Sequence, residues 1–165
     1  MAIVVRPLRP DEERMFLELH GRSVRGLATG HYPPDVIEAW VVPLTEENLR
    51  GFHENRDNEI RLIAELKGKP VGLGALVIEN SELRACYVAP EAARQGVGTA
   101  LVREIERIAA ENGVERLELL ASVNAEPFYA ALGYQTDGRT EHILRTGHAM
   151  AAVQMSKRLC GVMTP

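Results

Sequence analysis

The stretch Val88-Ala89-Pro90-Glu91-Ala92-Ala93-Arg94-Gln95-Gly96-Val97-Gly98-Thr99-Ala100-Leu101 decides how the rest of the chain is read. An apolar run ends at Val88, a short loop brings two glycines, and a new periodicity begins. From Gly98 to Asn112 the apolar residues 101, 102, 105, 108 and 109 recur with helical spacing, while charges at 103, 104, 106, 107 and 111 fall on the other face. Gly113 supplies the expected C-terminal stop. Strand, glycine loop and long helix in this order are the pattern of an anion site, and equally of a tight turn that needs glycine without any ligand. Glycine lets backbone N–H groups approach a guest closely, and the helix start adds the positive end of its dipole. A pyrophosphate suits such a loop. The nucleotide P-loop is excluded, because no Gly-Lys-Ser/Thr follows the glycines. A dinucleotide fingerprint fails too, since its third small position is Leu101 and no ribose-binding acid is identifiable.

Upstream, Ile60–Leu66 and Pro70–Ile78 are strand-like runs joined by Lys67-Gly68-Lys69, a hairpin signature, and Glu82–Val88 is a third strand. Residues 2–8 form a first strand. Asp11–His20 is an amphipathic helix with apolar residues at 15, 16 and 19. Pro33-Pro34 opens a short helix ending at Trp40, and Thr45 caps another through His53. Downstream, Leu117–Ala121 is a buried strand and Ala125–Leu132 a short helix. Gly133–Asp137 begins another strand, and Ala152–Leu159 is the last. A hairpin pair followed by strand–helix–strand units predicts an α/β fold with a mixed sheet and helices on both faces.

The chain's 165 residues suit a single domain spanning residues 1–165. The longest apolar run, Leu73–Ile78, is far short of the ~20 residues of a membrane-spanning helix, and Met1–Val5 is too short for a secretory signal. With Cys86 and Cys160 read as reduced thiols, a cytoplasmic protein is expected. A net charge of −4 argues against nucleic acid. The five histidines, at 20, 31, 53, 142 and 148, show no zinc spacing, so no metal is expected.

The glycine loop, read as Ala93-Arg94-Gln95-Gly96-Val97-Gly98, resembles the acetyl-CoA motif of the GCN5-related N-acetyltransferases, Arg/Gln-x-x-Gly-x-Gly/Ala. The preceding strand Leu83-Arg84-Ala85-Cys86-Tyr87-Val88 is similar to the strand leading into that motif. Pro127-Phe128-Tyr129-Ala130-Ala131-Leu132-Gly133-Tyr134 is similar to the family's Phe-Tyr-x-x-x-Gly-Phe/Tyr element. The resemblance covers residues 60–138 well and residues 1–58 in layout only. It departs at Ala93, usually Arg or Gln, and at Ser122, where asparagine is common and for which Asn124 is a partial substitute.

The resemblance implies the acyl-CoA N-acyltransferase fold, a mostly antiparallel mixed sheet of about six or seven strands flanked by helices. It implies acetyl-CoA as cosubstrate and a small-molecule or peptide amine as acceptor, and it is compatible with a homodimer, common in the family. CoA would be held by Cys86, Tyr87 and Val88, by Arg94, Gln95, Gly96, Val97, Gly98 and Thr99, and by Ser122, Asn124 and Phe128. The pantetheine would lie between splayed strands at 82–88 and 117–121. Tyr129 occupies the position of the family's acid for the leaving thiolate, a role that fits a phenol of pKa ~10 beside a thiol of ~8.5. Glu82, six residues before Val88, occupies the position from which some relatives present a base. As a strand-end carboxylate it reads equally as solvated. His31, Tyr32, Trp40, His142 and His148 would border the acceptor pocket. A non-catalytic acyl-CoA sensor or partner subunit is the alternative.

Overall fold

A computed structural model describes residues 2–159, which leaves Cys160 outside the described residues. In chain order the elements are Ile3–Pro7 (β1), Glu13–Leu27 (α1), Pro34–Trp40 (α2), Glu46–Glu54 (α3), Ile60–Leu66 (β2), Lys69–Val77 (β3), Glu82–Val88 (β4), Val97–Glu111 (α4), Arg116–Ser122 (β5), Glu126–Ala131 (α5), Gln135–Ile143 (β6) and Ala149–Arg158 (β7). The strands form one sheet in the order β1-β2-β3-β4-β5-β7-β6, antiparallel throughout except for β4 and β5. No described helix is long and apolar enough to cross a membrane.

The sheet has two differently covered faces, and their assignment follows from its register. β3 pairs Gly72, Gly74 and Leu76 with Val88, Cys86 and Leu83 of β4. A Cβ at Gly72 would lie 2.8 Å from Val97, and one at Gly74 would lie 2.9 Å from Ile105, so these two glycines let α4 sit directly on the strand. Leu101, Val102 and Ile105 of α4 are fully buried there. This packing against the sheet, rather than intrinsic propensity, supplies most of such a helix's stability. The register shift after Ala75 leaves Arg84 unpaired as a bulge. Glu82, Ala85 and Tyr87 therefore share the opposite face with their partners Val77, Ala75 and Leu73. α1 and α2 cover that face, with the His20 ring edge-on to Tyr87 at 4.5 Å.

β4 and β5 pair only at Glu82–Glu118, supported by the Glu118 N–H donating to Ser81 O at 2.9 Å. Among the described residues no further rung joins them, so the strands splay apart toward Val88 and Ser122. β5 is instead held along its length by β7.

Three elements run on beyond their sequence patterns. α1 continues past His20 to Leu27 through Gly21 and Gly26. Both glycines are placed by tertiary contact. A Cβ at Gly26 would lie 2.1 Å from the Pro90 ring, and one at Gly21 would lie 3.2 Å from Val41. β6 and β7 extend toward each other as a hairpin over residues 135–158, closed by a turn at Leu144–His148 with Gly147 at φ 88°. β7 thus starts at Ala149 rather than at Ala152.

Candidate active site

At the α4 end of the splay the backbone takes an uncommon shape. Arg94 has φ 63° and Gly96, the residue preceding α4, has φ 88°. No side chain caps the helix, and its first turn carries no acidic residue. The amides of Val97, Gly98 and Thr99 therefore begin the helix without intrahelical partners, and the dipole end is uncompensated. Gln95, Arg94 and Gly96 are exposed, while Val97 is buried as the anchor. This cradle of amides fits a pyrophosphate group.

The other loop and strand residues converge on the same place. The Cys86 thiol points at Gly98 O at 3.8 Å. A Cβ at Gly98 would lie 3.0 Å from the Phe128 ring and 3.6 Å from Val88, so glycine here allows α5 and β4 to close on the start of α4. Burial pushes the Cys86 thiol up to about 12, which keeps it protonated and unreactive at neutral pH. Thr99 and Ser122 are half-buried, at the first turn of α4 and the open end of β5. Asn124 follows β5. Its amide donates to Leu27 O at 3.4 Å, and its Oδ1 is buried without a partner.

Tyr129 projects from α5 into this convergence, buried between Phe128 at 5.0 Å and Tyr134 at 5.7 Å between ring centroids. Among the described residues its hydroxyl has no hydrogen-bond partner. Burial, followed by the nearby Cys86, Tyr87 and Tyr134, raises its pKa well above 10, so the phenol holds its proton. Tyr134 donates to Glu106 at 2.8 Å, and Lys157 contacts the same carboxylate, which fixes the α5–β6 corner behind Tyr129.

The structure does not bring Glu82 beside Tyr129. Glu82 lies at the closed end of the splay, paired with Arg84 at 2.9 Å and contacted by Asn80. Arg84 in turn binds Asp57 and Glu59. Tyr87 shares Glu82's face four register steps further along, about 13 Å at 3.3 Å per residue.

On that same face Tyr87, Trp40, Tyr32 and His20 meet edge to face, with centroids 4.5–6.5 Å apart. The Tyr32 hydroxyl donates to Ala151 O at 2.5 Å and accepts from Val123 N–H at 2.9 Å, bridging β7 to the end of β5. Burial pushes Tyr87 up to about 12, a rise the Trp40 indole opposes. His148 lies 3.5 Å from Asp35, whereas His31 and His142 are exposed. His20 carries no family motif. The available signal was a polar residue on the apolar stripe Phe16, His20, Val24, Leu27, spaced by four, four and three.

The chain as a whole has counterparts among known proteins. The family model of the acetyltransferase (GNAT) family matches residues 11–134. The uncharacterized N-acetyltransferase YafP of Escherichia coli strain K12 is 27% identical over 134 residues, covering 81% of this chain and 82% of its own length. The uncharacterized N-acetyltransferase MJ1207 of Methanocaldococcus jannaschii is 27% identical over 143 residues, and the match covers 79% of this chain and 60% of that protein. A crystal structure described as a GCN5-related N-acetyltransferase (Aminotransferase, Class-II) from Rhodopseudomonas palustris superposes with a TM-score of 0.87 at 28% identity, covering 96% of this chain and 97% of the other. A PaiA N-acetyltransferase from Thermoplasma acidophilum, solved with coenzyme A, has the same fold with a TM-score of 0.69 at 21% identity, covering 96% and 99%. A family model that spans most of the chain, and relatives alike in sequence and fold, place it: this chain belongs to the GNAT family of acetyltransferases.

Proposed function

We propose that the protein transfers the acetyl group of acetyl-CoA to a primary amine, directly and without an acyl-enzyme. The observation that carries this reading is the joint of loop and splay. The unpaired amides of residues 97–99 open onto the same locus as the ladder-free edge of β4 at Cys86–Val88. An anion cradle and an unpaired strand edge, side by side, suit a ligand that is pyrophosphate at one end and a chain of amides at the other. The PaiA neighbour is solved with coenzyme A, and a Salmonella typhimurium acetyltransferase, yncA, of TM-score 0.70 and 16% identity, is solved with acetyl-CoA.

Acetyl-CoA supplies a thioester. Its C–S bond breaks as a C–N bond forms to the amine, which loses a proton while the thiolate gains one. Within this chain, Val97, Gly98 and Thr99 amides hold the pyrophosphate, aided by Arg94 and Gln95, and the β4 edge holds the pantetheine. Phe128 and Val88 wall the passage, with Ser122 and Asn124 on its β5 side. Tyr129, protonated and without a partner, donates to the departing sulfur. Cys86 is held as a thiol and serves by its backbone, which favours direct transfer. Glu82 stands too far along β4 for direct contact with a nitrogen near Tyr129, so it accepts the amine proton through water.

Thermal shift with acetyl-CoA, CoA and NAD side by side tests the cofactor assignment. The expected result is stabilisation by the first two and none by NAD. Stabilisation by NAD alone overturns it.

A further inference from the structure

The Tyr129 hydroxyl takes no hydrogen bond among the described residues, so its direction is set by whatever grips the rest of the side chain. Tyr134 grips it twice. The Tyr134 N–H donates to Tyr129 O at 3.1 Å, and the two rings meet at 5.7 Å with 72° between their planes. Tyr134 is itself tethered. Its hydroxyl donates to Glu106 Oε2 at 2.8 Å, and burial, followed by that carboxylate, raises its pKa, so the phenol stays a donor. Lys157 of β7 crosses Gly133, where a Cβ would lie 3.4 Å from its Cε, and reaches the two Glu106 oxygens at 3.1 and 2.9 Å. The Glu106 and Lys157 side chains are only 17% and 28% exposed. So shielded a pair adds little net stability, because lost hydration offsets the attraction. Its contribution is a fixed geometry.

Glu106 belongs to α4, the helix whose first amides form the anion cradle. It lies eight residues beyond Gly98, about 12 Å along the axis at ~1.5 Å per residue. One rigid helix thus carries the cradle at its start and the tether of Tyr134 roughly two turns later. We propose that Glu106 is a positioning residue for acetyl transfer: through the Tyr134 hydroxyl it holds Tyr129 at a set distance from the cradle, where the acid meets the thioester sulfur once the pyrophosphate is seated. This deepens the acetyl-transfer reading and rests on it. The pantetheine arm has a limited reach between pyrophosphate and sulfur, and a proton donor must stand within hydrogen-bond distance of the atom it serves. Two points of attachment on one helix remove the play that separate loops would leave between them. Glu106 touches no substrate. The proton given to the thiolate is that of Tyr129, and no bond is made or broken at the carboxylate. Lys157 matches its charge, so it acts by placement.

The test follows thiol release and N-acetyl product from acetyl-CoA and methylamine, an acceptor small enough for a pocket of any shape, with calorimetry for acetyl-CoA affinity. Tyr134→Phe removes the tethered hydroxyl and Glu106→Leu removes its acceptor. Each should lower kcat about tenfold, inside the ~10²-fold ceiling set by losing the acid, with acetyl-CoA affinity within about twofold of wild type. The two together should fall no further than either alone, since both break the same hydrogen bond. Glu106→Gln keeps an oxygen to accept from Tyr134 and should restore kcat to within about threefold. In a Tyr129→Phe background, Glu106→Leu and the milder Tyr134→Phe should each change kcat by less than about twofold, because no hydroxyl is left to aim. A merely structural carboxylate lowers the rate equally in both backgrounds. Wild-type kcat in both single variants, a persistent tenfold fall in the Tyr129→Phe background, no rescue by Glu106→Gln, or a parallel loss of affinity each overturns the proposal and leaves acetyl transfer standing. A wild-type chain that makes no N-acetyl product from methylamine overturns the transfer reading, and the proposal with it.

Discussion

Gly96→Val isolates what the glycine loop contributes. Gly96 sits at φ 88°, and a Cβ built there meets nothing nearer than Ile3 Cδ1 at 3.7 Å. The obstacle to valine is therefore conformational rather than steric. An L-residue in the left-handed region costs about 1–2 kcal/mol, and β-branching adds to it. A loop that absorbs about 2 kcal/mol without moving lowers the thermal midpoint by roughly 4–8 °C in a chain of this size. A loop that relaxes instead rotates the following amides away from their common focus. Each hydrogen bond to a charged oxygen is worth about 1.5–3 kcal/mol, so misdirecting two of the three amides removes about 3 kcal/mol, or ~10²-fold in Kd. The control is Gly113→Val, at φ 81° with open space around it, at the opposite end of α4. Calorimetric titration with acetyl-CoA should show the ~10²-fold loss for Gly96→Val and wild-type affinity for Gly113→Val, with comparable falls in thermal midpoint. Retained affinity in folded Gly96→Val, or an equal loss in both variants, refutes the cradle.

Three further outcomes are expected. Tyr129→Phe keeps the ring packing against Phe128 and Tyr134, so acetyl-CoA affinity should hold while turnover falls about 10²-fold; an equal fall in both identifies a structural hydroxyl instead. Glu82→Gln should slow turnover about 10²-fold at neutral pH and recover as alkali deprotonates the amine, and a wild-type rate across that range reduces Glu82 to a solvated partner of Arg84. In the acid limb of stability, Arg6 holds the Glu12 carboxyl down to about 2 through its guanidinium hydrogen bonds. A lowered folded pKa gives stability that is complete above 4.5 and is lost as pH falls toward 2, so the thermal midpoint of Glu12→Gln should vary less than wild type over that window; parallel curves contradict it.

The residues that revealed the fold do so through local rules. The 3.6-residue stripe of α4, its stop at Gly113, the Lys67-Gly68 turn at positive φ and the Thr45 cap, which accepts from the Asn48 amide at 3.1 Å, all follow from nearest neighbours in sequence. What was not legible depends on distant partners. Gly21 and Gly26 weaken a helix on propensity alone, yet Val41 and Pro90 demand them, and α1 runs on through both. Arg94 at positive φ gives no local sign, because arginine is an unusual residue there and the loop imposes it. Of the site, the cradle at residues 95–99 could be read from glycine spacing. The distance of Glu82 from Tyr87 could not, since it depends on the Arg84 bulge and on where β4 leaves β5.

Acetyl transfer to nitrogen stands or falls on the product formed. The wild-type chain is incubated with acetyl-CoA and a library of primary amines, with free thiol and acetylated product quantified together. Transfer to nitrogen gives thiol release that depends on the amine added, matched mole for mole by its N-acetyl product. Tight acetyl-CoA binding with the same slow thiol release for every amine, and no acetylated product, would contradict it and leave an acyl-CoA-binding module in its place.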